Sequence, residues 1–169
     1  LNDPNVDLMV SGEGDISIVE LIQALEEGTD ISNISGIAYK KNGTYIRTTD
    51  RPVIRDLDNF DQEYDLIDLE RYFNFQSSMD FFPVYRNKRF IPLVTSRGCP
   101  FKCTYCHDIF DKSIQYRSPE VVVDEMEYLL NTYGIQEFHI VDDVFNVNMK
   151  RAKIVLDAII KRNLNVHIS

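Results

Sequence analysis

The chain has three cysteines, Cys99, Cys103 and Cys106, and all fall in one short stretch with the spacing C-x3-C-x2-C. An odd number of thiols packed this closely does not make a disulfide framework, and in a reducing compartment it points to metal or redox chemistry. Three soft thiolates on one loop can each bind a different iron of a cubane 4Fe-4S cluster, leaving the fourth iron to a ligand that is not protein. An open metal position is what a catalytic site needs and a structural site avoids. The same residues leave two other readings open. His107 follows Cys106 directly, which permits a Cys3His zinc site, and a partner chain could close a four-thiolate cluster. Either would make the chain a metal-stabilised interaction module rather than an enzyme.

The loop is set in a pattern of alternating strands and helices. Residues 90–95 read as a strand that runs into the cysteine loop of residues 96–110. Pro92 cannot donate to a ladder, so this strand is expected to lie at a sheet edge or to spend the lost bond at its start. Ser118 then Pro119 reads as a helix cap followed by a first-turn proline. Val122, Met126, Leu129 and Tyr133 form one helical face, and Gly134 ends the helix. A strand over residues 138–141 leads to Asp142 and Asp143; a second helix carries Ala152, Val155, Leu156, Ile159 and Ile160; a third strand surrounds Val166. Short helical connections of this kind imply right-handed parallel crossovers, the construction of α/β barrels. His139 and His167 fall on these strands and read as core histidines with satisfied ring nitrogens.

Ahead of this region the reading is looser. Residues 6–10 form an apolar strand, followed by a Ser11-Gly12-Glu13-Gly14 turn and a helix with Ile18, Leu21, Ile22 and Leu25 on one face, which reads as one strand–helix unit of a parallel sheet. Asn42-Gly43 between two β-prone runs signals a tight hairpin. From residue 50 to residue 89 no period persists, and the stretch reads as a linker packed against its neighbours. Three regions result, residues 1–49, 50–89 and 90–169, and both ends read as those of a segment cut from a longer chain.

The charge balance excludes some partners. With 18 basic and 27 acidic side chains, the net charge of −9 repels phosphate backbones and anionic lipid head groups, so nucleic acid is not an expected partner. No apolar run long enough to span a bilayer and no secretory signal occurs, and the expected compartment is the cytosol.

The stretch SRGCPFKCTYCHDIF, followed by YRSPE and an acidic helix, resembles the signature region of radical S-adenosylmethionine (SAM) enzymes. That resemblance implies that Cys99, Cys103 and Cys106 hold a 4Fe-4S cluster whose open iron chelates SAM, with an external electron donor and a small-molecule or peptide substrate. It implies that Tyr105 packs its ring against the adenine of the cofactor. Many members carry Gly-Gly-Glu after the second barrel strand to hold the cofactor's amino group; this chain has Asp142-Asp143-Val144-Phe145 there. That departure is similar to the branch with a cobalamin-binding domain ahead of the barrel. The Gly12-Glu13-Gly14 turn resembles the end of that domain, where glycines let backbone approach a nucleotide tail. Cobalamin itself is then expected only in the full-length protein, since the Asp-x-His-x-x-Gly motif that binds it is absent from this chain.

The implied fold is α/β: the first three strands of a partial (β/α) barrel of the radical SAM type, preceded by the tail of a Rossmann-like cobalamin-binding domain and a hairpin. The implied activity is reductive cleavage of SAM for radical chemistry or methyl transfer by the enzyme of which this chain is a fragment, the fragment itself being expected to be inactive. A methylthiotransferase shares the cluster loop, but would normally show further cysteines upstream, and none precedes Cys99. The uncovered inner face of a half barrel is expected to be apolar and to promote self-association.

Overall fold

The computed structural model describes residues 3, 5–60, 62–76, 86–87, 89–106 and 112–169. These divide into two compact units, Leu1–Ile54 with Pro100–Ser113, and Arg55–Cys99 with Ile114–Ser169. His107 and the rest of residues 107–111 lie outside the described residues.

In the first unit, β1 (Leu8–Val10) precedes α1 (Gly14–Glu27), and β2 (Ile37–Lys41) and β3 (Thr44–Arg47) follow. β2 pairs with both other strands, antiparallel in each case. The parallel strand–helix unit expected for residues 6–27 is therefore not what β1 forms with its described neighbour. The Asn42-Gly43 turn is present, with φ of 52° and 78° at its two central residues, the left-handed pair that a two-residue hairpin with matching twist requires. The apolar stripe of α1 also differs from expectation. Ser17, Leu21 and Ala24 are its buried residues, while Ile18, Ile22 and Leu25 are exposed. A small residue is needed at position 17 because the helix lies close to backbone there: a Cβ on Gly36 would stand 3.1 Å from Ser17 Oγ. Ser17 in turn donates to the Ser35 carbonyl at 2.9 Å and accepts Arg51 Nε at 2.8 Å.

The second unit holds α2 (Leu69–Gln76), β4 (Phe90–Leu93), β5 (Ser96–Arg97), β6 (Gln115–Tyr116), α3 (Pro119–Tyr133), β7 (Glu137–Ile140), α4 (Met149–Lys161) and β8 (His167–Ile168). Its main sheet has the order β4-β7-β8, and both pairings are parallel. Ile91 and Leu93 of β4 and Phe138 of β7 share one core with Val122, Val123, Met126 and Leu129 of α3 and Val155 and Ile159 of α4. Arg162, at the end of α4, bridges to Asp124 and Glu127 of α3. α3 ends on Gly134 with φ 67°, whose N–H caps the last turn. Ser118 occupies the N-cap position but makes no side-chain cap bond; its N–H instead donates to Asp58 Oδ1 at 2.7 Å.

Three expectations need correction. Leu156 and Ile160 are exposed, and Arg151 takes a place on the buried face of α4 with Ala152, Val155 and Ile159. The stretch of residues 50–89 contains α2, whose Leu69 and Phe73 join the core; eight residues with one i, i+4 apolar pair are too few for a helical period to stand out. His139 is half-buried and His167 exposed, because strand alternation puts them on the face away from the helices. That face carries Pro92, Val94, His139 and His167, so it mixes polar and apolar groups rather than being uniformly apolar.

Candidate functional site

The carboxyl ends of β4 and β7 build the base of the cysteine loop. β4 runs through Val94 and Thr95 into β5, and the chain returns in β6, antiparallel to β5, with Ser96 opposite Tyr116 and Arg97 opposite Gln115. The Arg117 N–H donates to the Thr95 carbonyl at 3.0 Å, and Arg117 Nη1 donates to the Val94 carbonyl at 3.0 Å. A two-rung ladder thus closes the loop at its neck. Sequence patterning does not show it, since strands of two residues have no period.

Asp142 and Asp143 stand immediately beyond β7, where the Val141 N–H is bonded to the Leu93 carbonyl at 3.1 Å. Asp142 Oδ1 accepts the Thr95 N–H at 2.6 Å and the Ser96 N–H at 2.9 Å, while Oδ2 accepts the Thr95 and Ser96 hydroxyls at 2.6 and 2.7 Å. Four donors on one carboxylate satisfy it fully. Asp143 Oδ2 accepts the Gly98 N–H at 2.9 Å. Gly98 has φ 93°, a conformation that L side chains rarely adopt, and it delivers the chain to Cys99.

Arg151 lies beneath this junction. Its Nη2 donates to the Thr95 and Arg117 carbonyls at 2.8 and 2.9 Å, Nε to the Arg117 carbonyl at 3.2 Å, and Nη1 to Thr95 Oγ1 at 3.2 Å. Its guanidinium carbon is 5.0 Å from the centre of the Tyr116 ring. Burial lowers the pKa of this arginine and the Asp142 carboxylate opposes the shift; a guanidinium stays charged in any case. Arg117 pairs with Glu125 at 2.5 Å, with both side chains nearly buried, and Tyr64 donates its hydroxyl to the same carboxylate. Sequence reasoning missed Arg151. Its signal was an arginine one helical turn before Val155, on the face that must meet the core.

The cysteines divide between the units. Cys99 is half-buried at the end of the second unit; Cys103 and Cys106 are exposed in the first, and none is in a disulfide. The Cys106 N–H donates to the Cys103 carbonyl at 3.1 Å, which folds residues 103–106 into a tight turn with Tyr105, 90% exposed, at its tip. Among the described residues no three His, Cys, Asp or Glu side chains converge on one point as a single metal ion would require. Three thiols spread along a loop nevertheless suit a cubane, in which each thiolate meets a different iron. The donor set fits a 4Fe-4S cluster on that ground.

Glu13, at the N-cap position of α1, is buried and accepts the Ile54 N–H. Gly12 has φ 79° and open space where a Cβ would stand, while a Cβ on Gly14 would meet Val10 at 3.4 Å.

The profile of the Radical SAM superfamily matches residues 93–169, the stretch that begins at the end of β4 and contains the loop, both aspartates and Arg151. Residues 93–169 belong to the radical SAM superfamily. The chain is 36% identical over 152 residues to an uncharacterised methyltransferase of Pyrococcus horikoshii, covering 88% of this chain and 31% of that protein. It is 32% identical over 167 residues to the anaerobic magnesium-protoporphyrin IX monomethyl ester cyclase of Synechocystis, covering 98% and 32%. The chain thus spans about a third of the length of these relatives. Among solved structures it is similar to the radical SAM methyltransferase TsrM of Kitasatospora setae, with a TM-score of 0.68 at 24% identity, covering 93% of this chain and 29% of that one. It is also similar to the cobalamin-dependent SAM radical enzyme OxsB, with a TM-score of 0.68 at 20% identity, covering 95% and 22%. Both likenesses are of fold. No helix among the described residues is long and apolar enough to cross a membrane.

Proposed function

We propose that this chain is the cluster-bearing part of a radical SAM enzyme in which Cys99, Cys103 and Cys106 hold a 4Fe-4S cluster with one open iron. The observation that carries the reading is the three-thiol loop at the carboxyl end of a parallel strand, within the stretch that the family profile matches. When bound, cluster and cofactor supply one-electron cleavage of SAM to methionine and a 5′-deoxyadenosyl radical, while the protein supplies position and shielding. Hydrogen abstraction or methyl transfer to an unactivated carbon follows from that radical chemistry, and the methyltransferases and cyclase among the relatives favour this class.

The chain's own residues have distinct parts in this reading. The thiolates bind iron, and Tyr105 covers the adenine; its exposure at the tip of the cysteine turn is consistent with that part. Asp143 fixes Gly98, and through it the approach to Cys99. Gly12 and Gly14 allow backbone to approach the nucleotide tail of a cobalamin held by the full-length protein, and Glu13 steadies that turn through Ile54. The parallel strands β4, β7 and β8 are the first three of a barrel, and an external donor supplies the electron.

Anaerobic reconstitution with iron and sulfide tests the reading. The expected product is brown, with about four irons per chain, and Cys99→Ala, Cys103→Ala and Cys106→Ala each abolish it. A colourless protein that carries one zinc would overturn the proposal.

A further inference from the structure

We infer that Arg151 and Asp142 form a clasp that sets the base of the cysteine loop, so that both act as positioning residues for the cluster. The inference rests on the radical SAM reading above. The β-ladder at the neck of the loop has only the two rungs Ser96–Tyr116 and Arg97–Gln115, and short ladders open readily. Arg151 adds what the ladder lacks. One rigid guanidinium fork binds the carbonyl of Thr95, which precedes the loop, and that of Arg117, which follows it. Asp142 binds the same neck by taking the N–H and hydroxyl donors of Thr95 and Ser96. Thr95 is where the two meet: its hydroxyl donates to Asp142 and accepts from Arg151, and it is fully buried.

The geometry explains why an arginine stands where a hydrophobic residue would otherwise complete the buried face of α4. Apolar side chains would pack there but could not fix two carbonyls and a hydroxyl at set distances. A planar five-donor group does so with fewer rotamers to lose than lysine. The clasp also accounts for Asp142 at the place where other members hold the cofactor: its oxygens are fully occupied by the loop neck, so its influence on the cluster acts through Cys99, three residues beyond Ser96.

The test uses the full chain after anaerobic reconstitution, with iron and sulfide content, the electron paramagnetic resonance spectrum of the reduced cluster and the half-life of its absorbance under a chelator as readouts. Arg151→Met, Arg151→Lys and Thr95→Val are compared with Val155→Ala, a core variant of the same helix that lowers stability without touching the neck. The expected result is a cluster lost at least about tenfold faster in Arg151→Met, partial retention in Arg151→Lys, an altered spectrum in Thr95→Val, and a wild-type spectrum in Val155→Ala. Should Arg151→Met fail to fold, the milder Thr95→Val carries the decision. Clusters of unchanged spectrum and half-life in the neck variants would overturn the clasp and leave the radical SAM reading standing. A wild-type chain that takes up no iron would overturn both.

Discussion

Tyr64, from the stretch before β4, donates its hydroxyl to Glu125 of α3, and Glu125 is at the same time the ion-pair partner of Arg117 at the loop neck. Burial, and then the hydrogen bond to the carboxylate, raise the pKa of the Tyr64 phenol well above its ordinary value. A phenol whose folded pKa lies above its unfolded one contributes stability that is complete below about pH 10 and is lost as pH rises beyond it. Thermal unfolding is therefore expected to be insensitive to this group at neutral pH and to fall in alkali. Tyr64→Phe should cost about 1.5–3 kcal/mol at neutral pH, as for a hydrogen bond to a charged acceptor, and should flatten the alkaline fall. An equally steep fall in the variant would refute the assignment.

Gly98 has φ 93° and gives its N–H to Asp143. Gly98→Ala should cost about 1–3 kcal/mol of backbone strain and reduce the iron bound after reconstitution, because the strain lies one residue from Cys99. Denaturant titration and iron analysis on the same preparation check the two effects together. Full iron loading with unchanged stability would show that the conformation at residue 98 is not needed.

Glu137 is 1% exposed, and its Oε2 accepts the Arg86 and Asn87 N–H groups at 2.8 and 2.7 Å. Glu137→Ala leaves both donors without this acceptor and is expected to cost about 1–3 kcal/mol; Glu137→Gln keeps an acceptor oxygen and should cost less. Amide hydrogen exchange at residues 86 and 87 reads this directly. Protection should vanish in the alanine variant and persist in the glutamine one.

The sheet face bearing Pro92, Val94 and Val141 is largely exposed. The 169-residue chain is accordingly expected to associate with copies of itself, measured by size-exclusion chromatography with light scattering. A monomer mass at every concentration would contradict that expectation.

What the sequence made legible follows from which physical signals are local. The parallel order of β4, β7 and β8 was readable from the helical crossovers between successive strands, and the Asn42-Gly43 turn and the Gly134 cap because each is dictated by residues near one another in the chain. The cysteine spacing was readable for the same reason. The buried face of α1 was not, since the close approach of Gly36 favours a small residue at position 17. Nor was the antiparallel partner of β1, which depends on a strand nearly thirty residues later. At the site, Asp142 and Asp143 stood out by position, but their donors Thr95, Ser96 and Gly98 lie more than forty residues away. Hydrogen bonds at that separation leave no periodic trace.

Pro92 sits in β4, which has a described neighbour on one side only. The Leu93 carbonyl points toward β7, so alternation turns the proline's missing donor outward. A ribosome delivers β4 before β7 or β8 exists, and for that interval its backbone lacks the strand that will pair with it. A foreign strand trying to zip onto the outer side would find the ladder interrupted at its middle. The proline thereby makes β4 a poor template for strand addition on that side.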